Sequence, residues 1–509
     1  MKSAVNLPAI IFNQFMANVY FVFFKFLPYV VTLENRALSP KQVGKNGSDE
    51  KQHLLDSDYQ SGETSVYMEE ESAFYKSWED PLIERKLDHP LSNSETLVHL
   101  LKGNIGTGIL AMPDAFRNAG WIVGLFGTLF MGAICTHCMH IMVGVAHHLC
   151  KNCGGSALSF ADVMERSFEK GPKWIQKYSI AARTMTNIFL CITQIGFCCV
   201  YFVFVAANLQ EVVKHYFFDI DFFWFLTFLL VPLVLLNWIR NLKFLTPFSI
   251  LASLLMIAGL VIIFGYLLHD VPSINSIKEI GNPQSLALFF GTAVYAFEGI
   301  GVVLPLENNM RTPLDFGGWN GVLNTGMVFT TCLYTAVGFF GYLKYGNACD
   351  LGSVTLYLPP NDLLAQMVRL MMAIAIFFSF PLQFYVPFNI IWPPLKSKLT
   401  RDKCDDTSES LIAEYTTRTL LIFCTFLLAI AVPNLGAVIT LVGSFSSSAL
   451  ALIFPPMVEM LAYYPDKWGP YKYILWKDVL IIIFGFIGFF FGTYSAVLNI
   501  MNLEESSST

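Results

Sequence analysis

The stretch from Thr96 to Gly120, TLVHLLKGNIGTGILAMPDAFRNAG, limits the possible folds of this chain more than any other. At about 1.5 Å of rise per helical residue, Thr96 to Phe116 matches a bilayer's hydrocarbon core, roughly 30 Å thick. A segment at that depth must satisfy its own backbone, and a helix does so. Yet Gly103, Gly106 and Gly108 crowd its centre, with Asn104 and Thr107 between them. Glycine weakens a helix there. Backbone freed from helical hydrogen bonds at membrane depth survives only where it is buried in protein or lines a watery cavity. The break therefore predicts a binding site, with close helix packing through small residues as the plainer alternative.

The rest of the composition agrees with a bilayer environment. Of 509 residues 54% are apolar and 14% charged, and mean hydropathy is +0.53, which marks an integral membrane protein. The net charge of -6 comes largely from an acidic, Ser-containing segment near the amino terminus, and no basic cluster with interleaved aromatics points to nucleic acid. Most of the eleven cysteines fall in apolar runs or in loops assigned below to the inside. Cys349 alone lies in the outer loops, which leaves no disulfide within that face.

Residues 1–33 hold an apolar run, Val19 to Val31, interrupted by Lys25 and Pro28. As a signal peptide it lacks an unbroken core and a small-residue cleavage site; as a span it is short and carries a lysine. An interfacial or disordered extension, an extra span and a signal segment all stay open. Residues 34–93 are polar and acidic and read as a disordered cytosolic tail. Within them Glu50, Leu54 and Leu55 form an acidic dileucine pattern of the kind that sorting adaptors read in a cytosolic tail. Residues 94–502 form the membrane domain, and 503–509 a short outer tail.

After the broken first run, apolar runs lie at Trp121 to Ala146, Ser179 to Ala207, Phe222 to Ile239, Phe244 to Leu268 and Leu286 to Leu306. Others follow at Val322 to Leu343, Leu363 to Ile391, Leu420 to Val432, Leu435 to Tyr463 and Val479 to Ile500. Eleven spans result. The run at Leu420 is short, which keeps ten as the alternative. Most Lys and Arg fall in loops on the side of the amino terminus, including Lys170, Lys173, Arg240, Lys243, Lys396, Lys398 and Lys472, whereas the other side holds only Arg117, Lys214, Lys278, Lys344 and Arg369. The positive-inside rule then puts the amino terminus in the cytosol.

The sixth span repeats the theme of the first, with Phe297-Glu298-Gly299-Ile300-Gly301 at its middle. Paired Gly-interrupted segments in corresponding positions of two halves point to an inverted-repeat transporter with its site at the midplane. The segments HLLKGNIGTGIL, QIGFCCVYFVF, FEGIGVVLPLEN, LQFYVPFNI and LVGSFSSSALALI resemble the proton-assisted (proton-coupled) amino acid transporter family of the amino acid/auxin permease group, from Glu95 to Ile500. The resemblance implies an all-α, leucine-transporter-like fold of eleven helices in a 5+5 inverted repeat with helices 1 and 6 broken. It also implies proton symport of small neutral amino acids at the plasma or lysosomal membrane, with a link to nutrient and growth signalling. The amino-terminal extension is outside that pattern.

A free amino acid is a zwitterion, and two breaks offer complementary backbone poles. Amides around Gly106, Thr107 and Gly108, at the start of a half-helix, suit the carboxylate. Carbonyls of Ala296, Phe297 and Glu298, at the end of another, suit the ammonium. Glu298 is also a carboxyl at the centre of an apolar span, a functional position by default. Burial disfavours the charged form of such a group, so it is the first candidate to carry the coupled proton; a permanently neutral structural acid is its alternative. His99 is the rival carrier. Asp114 and Arg117 are gate candidates at the outer mouth, or a solvated helix end.

The serines at 444, 446, 447 and 448 line the pathway or bond to their own helix. Cys135, His137, Cys138, His140, His147, His148, Cys150 and Cys153 do not form a familiar zinc spacing. No nucleophile, acid and base constellation or phosphate loop is present, so no enzyme and no cofactor are expected beyond protons as coupling ion. The expected partners are an amino acid, the lipid bilayer and sorting adaptors. A membrane receptor that senses amino acids with little net transport (a transceptor) is the main rival reading, and a channel lacks both a filter loop and a ring of like charges.

Overall fold

The computed structural model describes residues 90–153, 157–240, 245–318, 320–399, 408–465, 468 and 470–508. The extension 1–33 and the dileucine pattern of Glu50, Leu54 and Leu55 lie outside the described residues. Among those described the protein is all-helical, with a single isolated bridge between Leu91 and Met310. That bridge pins the chain just before the first helix: Leu91 N donates to Asn309 O at 2.8 Å and Arg311 N to Leu91 O at 2.9 Å. The chain is thus anchored from Leu91, slightly earlier than the end expected for the tail.

Helix α1 (Asn93–Asn104) starts at a capping box, in which Ser92 Oγ accepts from Glu95 N and Glu95 Oε2 from Ser92 N at 2.8 Å. Helix α2 (Thr107–Ala119) follows after the break. Then come α3 (Trp121–Cys153), the short amphipathic α4 (Phe160–Lys170), α5 (Ser179–Tyr216), α6 (Phe222–Asn237) and α7 (Thr246–Leu268). The second broken span is α8 (Pro283–Phe297) with α9 (Ile300–Asn308). The rest is α10 (Val322–Tyr345), α11 (Leu363–Leu399), α12 (Ser408–Ala431), α13 (Leu435–Val442), α14 (Phe454–Ala462) and α15 (Tyr473–Ser508).

Nine helical segments among the described residues are long and apolar enough to cross a membrane, and Phe222–Asn237 is a shorter apolar one. The expected first span is in neither group: its break leaves halves of 12 and 13 residues, too short for the first and much less apolar than Phe222–Asn237. The apolar run at Leu420 belongs to a longer helix than its hydropathy suggests. Its polar first turns are accommodated because Glu414 takes both Arg418 at 3.1 Å and Arg240 at 2.9 Å, and Arg418 also donates to Asn237 O and lies over the Phe388 ring. Charges closed on one another in this way extend a helix into a buried setting.

Helix α2 is enclosed by α8 and α10, and α5 packs along α11. Small residues permit the first contact. A Cβ at Gly108 would stand 2.7 Å from Ala296 Cα in α8, and one at Gly338 of α10 would fall on the Phe116 ring. Between α13 and α14 the tenth span is wound as two π turns, Gly443–Ser447 and Ala449–Ile453. Wide turns of this type mark functional positions more often than chance. Here they bring Gly443 against the backbone of Gly291 in α8, with no room for a side chain.

Candidate functional site

The first break begins at Ile105, which leaves helical geometry at φ -80 and ψ 97 while its N–H still caps Leu101 O at 2.7 Å. Gly106 then starts α2 with no side chain to cap it. The first amides of a helix have no partner inside it, so those of Thr107 and Gly108 form a positive pole. A Cβ at Gly106 would meet the Tyr201 hydroxyl at 3.3 Å, whereas one at Gly108 would meet Ala296. The two glycines therefore differ: Gly106 faces a polar group, and Gly108 lets α2 and α8 touch backbone to backbone, as the packing alternative has it.

The second break falls at Glu298 (φ -75, ψ 98) and Gly299 (φ -132, ψ 5). It lies directly on the first. A Cβ at Gly299 would be 2.7 Å from Asn104 Oδ1, and Thr107 Oγ1 is 2.8 Å from the Tyr295 hydroxyl. Tyr334 of α10 ties the ends together, with its hydroxyl directed at Asn104 O (2.5 Å) and Ala296 O (2.8 Å). One proton shared between the last carbonyls of two interrupted helices holds both breaks in register. It also occupies one lone pair of the Ala296 carbonyl that the sequence offers to an ammonium, leaving Phe297 and Glu298 at the end of α8 as the other acceptors.

Glu298 is buried, and its Oε2 has no hydrogen-bond partner among the described residues. Asn104 Oδ1 shares that condition, although its Nδ2 donates to Leu100 O at 2.9 Å. Buried polar atoms are nearly always paired, so two orphans beside two helix breaks are what a site for a polar ligand leaves behind. Phe197 meets the Tyr295 ring edge-on at 4.7 Å, and Gln383 Nε2 donates to the Tyr201 hydroxyl at 3.2 Å. These rings confine the space.

The other candidates sit apart from this centre. His99 is exposed on α1, beside Val98 at 62% exposure, and does not line the break. Asp114 and Arg117 pair at 2.9 Å near the end of α2, with Asn118 Nδ2 also 3.4 Å from Asp114. A Cβ at Gly436 would stand 2.9 Å from Asp114 Oδ2, so the pair bears on the start of α13. Ser446 and Ser448 bond to their own helix, whereas the hydroxyls of Ser444 and Ser447 are buried without partners among the described residues. His140 meets Asn324 at 2.6 Å and His147 meets Glu307 at 2.8 Å. Cys349 is buried between spans, and that burial pushes its thiol well above the ordinary range.

Sequence reasoning missed Tyr201, Tyr295, Tyr334 and Gln383. Tyr201, Tyr295 and Tyr334 are single polar atoms in apolar runs, and only their position opposite a break gives them meaning. The segments QIGFCCVYFVF and LQFYVPFNI contained Tyr201 and Gln383 without a role attached.

Comparison with known proteins gives the broken helices a context. The family model described as transmembrane amino acid transporter protein matches residues 89–498. A proton-coupled amino acid transporter-like protein of Drosophila melanogaster, pathetic, is 39% identical over 84% of this chain and 89% of its own length. Vacuolar amino acid transporter 4 of Saccharomyces cerevisiae is 27% identical over 80% of this chain, which spans 58% of that relative's length. Among solved structures, inward-facing Mhp1 aligns over 84% of this chain and 95% of its own, with a TM-score of 0.44 and 12% identity. A substrate-bound, outward-open sodium-coupled sialic acid symporter aligns over 83% and 94%, with a TM-score of 0.46 and 12% identity. With a family model matching residues 89–498 and a relative this similar over most of both chains, the chain belongs to the transmembrane amino acid transporter family and is a transporter rather than an enzyme.

Proposed function

We propose that the protein is a proton-coupled symporter of small neutral amino acids. The observation that carries this reading is Glu298: a carboxyl with an unpartnered oxygen, held inside the second break and against the first. The α-carboxylate would sit at the amides that open α2 and the ammonium at the carbonyls that close α8. Protonation of Glu298 would accompany loading, and its release would accompany delivery. One pH unit across the membrane is worth about 1.4 kcal/mol, enough for about tenfold accumulation per proton. The Tyr201 hydroxyl stands 3.3 Å from where a Cβ at Gly106 would lie, and the Tyr295 hydroxyl meets the neighbouring Thr107, which supports a preference for small side chains.

The Drosophila relative's name supports proton coupling, and the yeast relative's name supports an endolysosomal membrane, with the plasma membrane as the other site of residence in this reading. In this reading the amino terminus is cytosolic, Glu50, Leu54 and Leu55 meet sorting adaptors, and nutrient signalling follows from amino-acid flux. Amino-acid-evoked proton currents across a panel graded by side-chain size test the proposal. Inward currents that shrink as the side chain grows are expected. Saturable amino-acid binding with no current would favour a sensor instead.

A further inference from the structure

A second group of ionisable side chains lies inside the bundle, where α14, the first turns of α15 and α3 meet. Lys477 Nζ donates to Glu459 Oε2 at 2.7 Å and stands 3.2 Å from Asp478 Oδ1. The side chains are 27%, 12% and 0% exposed for Lys477, Glu459 and Asp478. Lys477 meets Asp478 as an ion pair outside hydrogen-bond geometry, and neither Asp478 oxygen has a hydrogen-bond partner among the described residues. The other titratable groups facing the cluster are His137 and Cys138 from α3 and Tyr463 beyond α14, and His137 is exposed at its rim.

One ammonium thus stands between two carboxyls. With both ionised the cluster holds one uncompensated negative charge, and such a charge inside a membrane protein costs several kcal/mol. A single monovalent positive charge removes it. A metal cation would need several oxygen ligands and would be repelled by Lys477 at the centre, whereas a proton needs only a carboxylate oxygen. We infer that Glu459, Lys477 and Asp478 form a second proton-binding site, with the proton held on the buried Asp478 and exchanged through the partly exposed Lys477 and Glu459. In the proposed orientation the cluster opens to the cytosol, and its occupancy sets the transport rate according to internal pH. This site is separate from Glu298 and depends on transport only for its readout.

The test uses the full-length protein in proteoliposomes of one orientation. The initial rate of amino-acid exchange is followed against the pH on the cytosolic face, with the opposite pH fixed, and the infrared carboxyl band is followed in parallel. The wild type should change rate by up to tenfold per pH unit across the titration, the limit for one proton. Asp478→Asn and Glu459→Gln each leave one carboxylate to one ammonium, so each should flatten that profile and remove the titrating band. Asp478→Glu should restore both, and in Glu298→Gln a titrating carboxyl band should persist, which separates this cluster from Glu298. If the Asn variant does not fold, the flattened profile and lost band of the Gln variant decide the matter alone. The inference is overturned if the Gln variant keeps the wild-type profile, if His137→Gln flattens it, or if sodium or potassium at fixed pH replaces the proton response.

Discussion

At the first break the polar side chains are neutral: Thr107 meets Tyr295, and Asn104 donates to its own helix and receives Tyr334 on its carbonyl, leaving only an amide oxygen, Asn104 Oδ1, without a partner among the described residues. At the second, Tyr334 also reaches Ala296, but the one ionisable group, Glu298, keeps an orphaned oxygen. Both breaks use glycine to interrupt a helix within the membrane, and both are clamped by the same tyrosine. The difference lies in what is left unpaired. In the proposed mechanism the first is a frame that displays backbone amides, and the second holds a costly carboxyl in readiness. In that mechanism one helix break supplies geometry while its counterpart supplies a charge that comes and goes.

The largest effects should come from closing the contact between the breaks. A Cβ at Gly108 or Gly299 would fall 2.7 Å from Ala296 Cα or Asn104 Oδ1, so Gly108→Val and Gly299→Val should destabilise the protein by about 3 kcal/mol, the upper end for overpacking. Thermal unfolding in detergent would show it, together with loss of uptake. Gly106→Val meets only a hydroxyl at 3.3 Å and should separate the two effects, with uptake abolished in a protein that still folds. Equal destabilisation of all three variants would mean that Gly106 too is only a packing residue.

Tyr334→Phe removes the hydroxyl that serves both carbonyls. The loss of a buried bond of this kind costs about 1–3 kcal/mol, which should slow transport by about tenfold or more while ligand-induced thermal stabilisation persists. A normal rate would show that the breaks hold their register without it.

Smaller changes are expected away from the breaks. Arg117 is partly exposed, so its pairing with Asp114 is worth up to about 1 kcal/mol. Arg117→Gln should therefore alter the uptake rate by less than tenfold, in a manner that fades with salt, and equal rates at low and high ionic strength would remove the pair from gating. Smallest of all, buried Cys349, with its thiol pushed up by burial, should resist a membrane-impermeant maleimide near neutral pH, because the thiolate is the reactive form. Rapid labelling would show that this loop opens.

Much of this comparison was legible in the sequence. Glycine clusters inside apolar runs located both breaks, and a lone Glu in an apolar run singled out Glu298, because interruptions of a helix period and charges at membrane depth are rare enough to stand out. Tyr334 was not legible. An apolar run tolerates a tyrosine for packing, and only the fold shows that its hydroxyl lies between two helix ends. The division of labour between Gly106 and Gly108 was hidden for a similar reason: both are glycines, two residues apart, and the partner each faces comes from another helix. His99 looked attractive on titration range alone, and its place on an exposed face of α1 depends on how that helix is rotated.

Glu298→Gln tests the difference between the two breaks most directly. Glutamine keeps the volume and much of the hydrogen bonding but cannot titrate. In proteoliposomes with a pH gradient, the variant should exchange labelled amino acid across the membrane yet fail to accumulate it, and the substrate-evoked proton current should vanish. A variant that still concentrates substrate with the wild-type pH dependence would contradict the account and move the coupled proton to another group.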